Sequence, residues 1–262
     1  MNSGLESRVG RPDAEPDGYA ITGDGISKKF RMPKEKKFTI FDNLVGLLRG
    51  GSYAYEDFLA LQDVSFSVQQ GETFGVIGPN GCGKSTLLKV LAGVLYPDCG
   101  SFRVSGRIAP FLELGVGFQE ELTARDNVYL YGAIMGLTKK DIDRRYEAIM
   151  GFAELKRFEN MKLINFSSGM YVRLAFATAI QTDPDVLLVD EVLSVGDEAF
   201  QQKCSQKIDQ IRSSGKTILL VSHDLEMVSE LCERCLLMNG GKIVFLGDTK
   251  SALDMYKRMR GK

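Results

Sequence analysis

The sequence predicts an α/β fold on a mostly parallel sheet, with a helical lobe inserted into it. Three observations carry that reading. Short apolar runs at 186–189, 217–221 and 236–238 alternate with helical stretches, the rhythm of strand–helix units whose strands are buried on both faces. The apolar segment Thr73-Phe74-Gly75-Val76-Ile77 enters a glycine-rich loop and leaves it in a helical pattern from Thr86. The block from Thr123 to about Phe166 carries helical periodicity.

Taken in order, Met1 to Tyr19 is rich in Gly, Pro, Asp and Ser and has no apolar core, so 1–19 reads as a disordered leader and not a signal peptide. A first strand begins near Ala20 and runs to about Phe30. Arg31 to Phe58 is then a connection too long for a turn. A basic cluster of Lys28, Lys29, Arg31, Lys34, Lys36 and Lys37 leads into it, and it holds an amphipathic stretch with Phe41, Leu44, Val45 and Leu48 at helical spacing. Such a helix either packs on the domain with a solvated basic face, or meets lipid headgroups or a membrane partner. Leu61 to Val68 alternates, with Val64, Phe66 and Val68 on one side, as a half-buried strand does. Arg103 to Leu114 reads as a further strand pair. Thr138 suits a helix N-cap with Asp141 in the first turn, and Ile142, Tyr146, Ile149 and Ala153 follow on one face.

A chain of 262 residues has room for one large α/β domain, or one domain plus a small lobe. Its 33 basic and 34 acidic residues give a net charge of -1, without the electrostatic footprint of a nucleic-acid binder. Five cysteines at irregular spacing argue against a disulfide framework and for a reducing compartment. Cys232 and Cys235 supply two of the four ligands that a structural zinc needs, so they read as ordinary thiols at a helix-to-strand junction. No apolar run approaches the ~18 residues that a membrane span requires.

The chemistry concentrates in four places. Gly78-x-x-x-x-Gly83-Lys84-Ser85 is a phosphate-binding loop in the strand–loop–helix setting the pattern requires. Through Gly78, Pro79, Asn80, Gly81, Cys82, Gly83, Lys84, Ser85 and Thr86, backbone amides curl around phosphate oxygens. A Cβ at Gly81 or Gly83 would crowd them. Lys84 is placed to reach the outer phosphates and Ser85 to ligand Mg²⁺, while the helix offers its positive end to the anion. The buried strand at 186–189 ends in Asp190, suited to Mg²⁺, and Glu191, suited to polarising an attacking water. The single histidine, His223, follows another apolar strand, and strand ends of such sheets converge on one crevice. Finally, Phe166-Ser167-Ser168-Gly169-Met170 opens a helical run to Ile180; it is either an N-cap alone or an anion site built from hydroxyls and free amides.

In this order, these pieces over roughly 20–250 resemble the nucleotide-binding subunits of ATP-binding cassette (ABC) transporters. The resemblance implies a P-loop NTPase core with an antiparallel β subdomain and an inserted helical subdomain at about 119–182, the whole spanning 20–257. It implies ATP and Mg²⁺ as ligands. Gly78 to Thr86 look like Walker A, 186–191 Walker B, Ser167, Ser168, Gly169 and Met170 the signature motif, and Gln119 the Q-loop glutamine, a catalytic and metal-contacting position. Ser194-Val195-Gly196-Asp197 looks like the D-loop and His223 the switch histidine. In the family two subunits pair head to tail, each signature helix facing the other's P-loop across ATP, so a homodimer is expected. An aromatic residue ahead of Walker A stacks on adenine; Phe30 fits best, with Tyr53 or Tyr55 as rivals. The usual signature Leu-Ser-Gly-Gly-Gln departs here, since Met170 replaces the glutamine. Ser-Ser-Gly-Met, the stretch 112–118, the stretch 195–204 and the long 31–58 insertion resemble the subfamily exporting O-antigen, teichoic acid and capsule-type glycans. That implies an integral-membrane transporter subunit, a lipid-linked glycan as cargo, and a place on the cytoplasmic face of the inner membrane. The 112–118 region lies near the membrane partner in that subfamily. A lipid or drug exporter and a non-transport ABC ATPase are the alternatives.

Overall fold

A computed structural model describes residues 18–33, 55–111, 115–190 and 196–260. The amphipathic stretch from Phe41 to Leu48, Tyr53, Glu191, Ser194 and Val195 lie outside these, as does the leader up to residue 17.

Among the described residues nine strands form two sheets. In the six-stranded sheet the order is β5 (Ile108–Phe111), β6 (Val186–Asp190), β7 (Thr217–Val221), β3 (Thr73–Ile77), β8 (Arg234–Asn239) and β9 (Lys242–Asp248). The first five of these are parallel, and β9 pairs antiparallel with β8. Buried on both faces, the inner strands β6, β7 and β3 need apolar side chains at nearly every position and not at alternate ones. In β6, Val186 and Leu188 join one core while Leu187 and Val189 join the other. The first core includes α1 (Lys84–Leu91) and the second sheet. The other is filled by α2 (Ala124–Ile134), α3 (Lys139–Ala153), α4 (Ser168–Ile180), α5 (Glu198–Ser213), α6 (Leu225–Leu231) and α7 (Thr249–Arg260).

The second sheet is antiparallel, in the order β2 (Tyr55–Gln69), β1 (Tyr19–Pro33), β4 (Cys99–Val104). Two sequence expectations change here. The strand pair expected over Arg103 to Leu114 is not a pair: β4 joins β1, whereas β5 lies parallel to β6 in the other sheet. Both stretches are β-formers, and only long-range packing decides which sheet each completes. The connection expected over 31–58 is also shorter at both ends. Arg31, Met32 and Pro33 extend β1 and pair with Asp57, Glu56 and Tyr55 of β2. Phe30 stands opposite Phe58, and Lys29 and Arg31 lie 3.7 Å from the Asp57 carboxylate, which favours continuing the ladder.

The helical block forms through local signals. Thr123 and Thr138 each cap a helix in a reciprocal box, with Asp126 and Asp141 returning a bond to the cap N–H. Ile142, Tyr146, Ile149 and Ala153 are buried on one face of α3. Phe176 of α4 is fully buried, stacks on Phe152 and meets Phe111 at a tilt and Phe200 edge-on, so it ties sheet, α3, α4 and α5 together. Its truncation to alanine is worth about 3–5 kcal/mol. Cys232 closes α6 and Cys235 lies in β8; both are buried, and Cys235 Sγ is 3.2 Å from Thr249 Oγ1. Among the described residues no helix is long and apolar enough to cross a membrane.

Candidate functional site

The glycine loop leaves β3 at Ile77 and ends in α1. Gly78, Gly81 and Gly83 have φ of 150°, 74° and 109°, backbone that an L side chain strains to adopt. A Cβ on Gly78 would lie 2.3 Å from Met238 O, and one on Gly83 2.4 Å from Ala60 O. Gly81, by contrast, would place its Cβ in open space. At Gly83 the loop seats so closely against β2 that the residue must be glycine. Cys82 is buried beneath the loop, and its carbonyl accepts from Gly241 N at 3.0 Å. Burial pushes the Cys82 thiol up, more than the nearby Lys84 charge pulls it down.

Lys84 is 7% exposed, and its ammonium donates to Gly78 O at 2.8 Å and Pro79 O at 3.1 Å. A buried ammonium held only by carbonyls gains from an anion beside it. At the first turn of α1 no side chain caps the free amides and no acidic residue opposes an anion. Ser85 is exposed and Thr86 half-buried in that same turn. These features fit a polyphosphate and its counter-cation: positive φ glycines, free amides, a buried cation and a hydroxyl.

The remaining groups come from neighbouring strands. In the parallel register Val76 pairs with Val221, and Val221 with Asp190. The P-loop, Asp190 and His223 thus stand at the same edge of three adjacent strands, where crevices of such sheets form. Asp190 is half-buried and offers the hard oxygen that Mg²⁺ prefers; His223 is exposed. Ser222 is buried below it and accepts from Asp224 N at 3.0 Å, and Asp224 caps α6, so the turn carrying His223 is held from both sides. Gln119 is exposed, eight residues beyond the end of β5, the strand next to β6.

Ser167 caps α4, accepting from Met170 N at 3.2 Å. It opens with Ser168 and Gly169 onto a groove of about 680 Å³ that Arg157, Phe158 and Asp197 also line. The cap alone accounts for Ser167 but not for the exposed Ser168 and the groove. Asp197 is engaged within its own chain: Oδ1 accepts from Phe200 N at 3.0 Å, and Oδ2 from Arg173. Phe30 lies in the β1 arm, 36% exposed, with the Lys28 ammonium 5.8 Å from its ring centroid; Tyr55 is 57% exposed in β2.

Sequence reasoning missed three side chains that organise these groups. Arg173 joins α4 to Glu154 and Asp197 and lies 4.9 Å over the Phe200 ring. Tyr171 donates to Gly115 O at 3.0 Å, and a Cβ on Gly115 would stand 2.5 Å from its ring. Asn127, fully buried in α2, bonds the backbone of Gln119. Asn127 was findable as an asparagine inside a helical run, an unfavourable place for an unpartnered amide. Arg173 and Tyr171 sit at ordinary helical spacing and leave no such signal.

A glycine loop, a strand-end carboxylate and a strand-end histidine on one edge of a parallel sheet, beside a helical lobe, define a P-loop nucleoside triphosphatase. The ABC transporter family model matches residues 61–194, and the chain belongs to that family, as one of its ATP-hydrolysing domains. It is 47% identical over 202 residues to the ABC transporter protein AbcA of Aeromonas salmonicida, covering 77% of this chain and 66% of that protein. It is 42% identical over 240 residues to the O-antigen export system ATP-binding protein RfbB of Klebsiella pneumoniae, covering 92% of both. Among solved structures, a dimeric post-hydrolysis state of the ATP-binding cassette MJ0796 bound to ADP and Pi superposes with a TM-score of 0.68. That match has 22% identity over 87% of this chain and 98% of that one, a likeness of fold.

Proposed function

We propose that this chain is the ATPase subunit of a polysaccharide exporter, driving a lipid-linked glycan through a separate membrane subunit from the cytoplasmic face of the inner membrane. The observation that carries this reading is the likeness to an O-antigen export ATP-binding protein over 92% of both chains. The Ser167-Ser168-Gly169-Met170 variant of the signature supports the same assignment.

The active form is a head-to-tail homodimer. Lys84 and the amides of Gly78 to Thr86 hold the β- and γ-phosphates on one copy, and Ser167, Ser168 and Gly169 of the second copy meet the γ-phosphate with a helix N-terminus. Ser85, Asp190 and Gln119 would hold Mg²⁺, which would neutralise charge on the phosphate oxygens. Glu191 accepts the proton of the attacking water, and His223 fixes the γ-phosphate so that the water is in line. Phe30 stacks on adenine, which accepts any purine face without strict readout. Asp197, which caps α5 by accepting from Phe200 N, belongs to the nucleotide site completed at the dimer interface.

The test is to purify the full chain from membranes with its transport subunit and identify co-purifying lipids and sugars by mass spectrometry. A lipid-linked glycan that also stimulates ATP hydrolysis is expected. Stimulation by phospholipid or an amphipathic drug alone would move the assignment to a lipid or drug exporter.

A further inference from the structure

Asn127 is an amide buried in α2 whose oxygen and nitrogen are both bonded to one loop. Its Oδ1 accepts from Gln119 N at 2.7 Å. Its Nδ2 donates to Gln119 O at 2.9 Å, Thr123 O at 2.9 Å and, more weakly, Leu122 O at 3.3 Å. The side chain is 0% exposed. The two bonds to Gln119 close a ring like a rung of a β-ladder, which fixes both position and tilt of that peptide. Chemistry dictates the amide's orientation, because only oxygen can face the Gln119 N–H and only nitrogen the three carbonyls.

Other bonds hold the rest of the loop. Glu120 O accepts from Ile164 N at 2.9 Å and Leu122 O from Leu163 N at 3.1 Å. Among the side-chain bonds of the described residues, those at the main chain of Gln119 come from Asn127. Gln119 itself is exposed and follows Phe118, whose buried ring is wedged 5.1 Å from Tyr131 and 5.2 Å from Tyr171.

We infer that Asn127 is a positioning residue for ATP hydrolysis: it aims the Gln119 side chain by clamping its main chain to α2. This rests on the role proposed above for Gln119. A shift of α2 is passed directly to Gln119, because the clamp is rigid and desolvated. Among the described residues the four partners of Asn127 are all main-chain groups. The charged residues beside it on α2 turn elsewhere, Arg125 to Glu159 and Asp126 to Thr123.

The experiment is a double-mutant cycle in the full chain, following steady-state hydrolysis with thermal unfolding alongside. Asn127→Ala is expected to lower kcat roughly 10–100-fold, the scale of a small misplacement of a catalytic group, with KM for ATP changed less than about threefold. In a Gln119→Ala background, whose main chain still offers the same bonds, Asn127→Ala should cost no further kcat. An equal loss of kcat in both backgrounds overturns the inference and leaves Gln119 standing. If Gln119→Ala alone leaves kcat unchanged, the role of Gln119 fails, and this inference with it.

Should Asn127→Ala not fold, Asn127→Asp decides. A buried carboxylate facing three carbonyls has its pKa raised, and once protonated it restores one donor. Its kcat relative to wild type should therefore climb several-fold as pH falls from about 8 to 6. A flat or falling ratio rejects the clamp.

Discussion

Arg173 of α4 donates through NH2 to the Asp197 carboxylate at 2.5 Å, and the other oxygen of that carboxylate caps α5 by accepting from Phe200 N. One carboxylate therefore joins α4, the helix that opens at Ser167, to the start of α5. Its two oxygens can be separated by mutation. Asp197→Asn keeps an acceptor for Phe200 N, whereas Asp197→Ala removes the cap, at about 1 kcal/mol of stability. Chemical denaturation should therefore place Asp197→Asn near wild type and Asp197→Ala below it. The half-exposed ion pair itself is worth about 0–1 kcal/mol. If Asp197→Ala proves as stable as Asp197→Asn, the carboxylate is not acting as a cap.

Glu191→Gln should bind ATP and dimerise yet hydrolyse it about 10²–10⁴-fold more slowly, the contribution of a positioned base. Size-exclusion chromatography with ATP and a phosphate-release assay separate the two effects. Dilution of wild type below the dimer range should also abolish hydrolysis. A monomer turning over at the full rate would contradict a site completed by a second copy.

The glycines of the loop should rank by what surrounds them. Gly83→Ala meets Ala60 O and a positive φ together, while Gly81→Ala meets the φ alone. Backbone strain is worth about 1–3 kcal/mol, so Gly83→Ala should be the less stable of the two in thermal unfolding. Equal loss would mean that seating against β2 is not what selects glycine at position 83.

Thiol titration reads the core directly. Cys99 is exposed, while Cys82, Cys204, Cys232 and Cys235 are buried. Burial pushes Cys204 to about 12, and a hydrogen bond to Cys235 together with burial raises Cys232. A thiol reagent at pH 7 should label one cysteine quickly in the native protein and all five in denaturant. Fast labelling of Cys82 in the native chain would show that the loop opens readily.

Much of this was readable from local pattern. Thr138 and Asp141 announce the start of α3, since a cap and a first-turn acid act within four residues. The runs at 186–189 and 217–221 announce strands covered on both sides, because no half-exposed strand would carry apolar residues throughout. What failed was long-range pairing: nothing within Arg103 to Leu114 says that β4 belongs with β1 and β5 with β6. Nor does the sequence show that β1 and β2 continue through Pro33 and Tyr55, since the Asp57 contacts with Lys29 and Arg31 exist only once the strands are paired.

By itself, the sequence determined the glycine loop, the order of the chemical groups along the chain and the helices that carry their own caps. These depend on neighbours a few residues apart, where backbone preference and hydrogen bonding act without the rest of the fold. Tertiary structure alone decided why Gly78 and Gly83 must be glycine, that Asp197 is spent on Arg173 and a helix cap, and that Asn127 holds Gln119. Apart from the local cap at Asp197, each of these contacts joins residues on different elements, or encloses an amide that becomes costly to leave unpaired only after packing removes water from it.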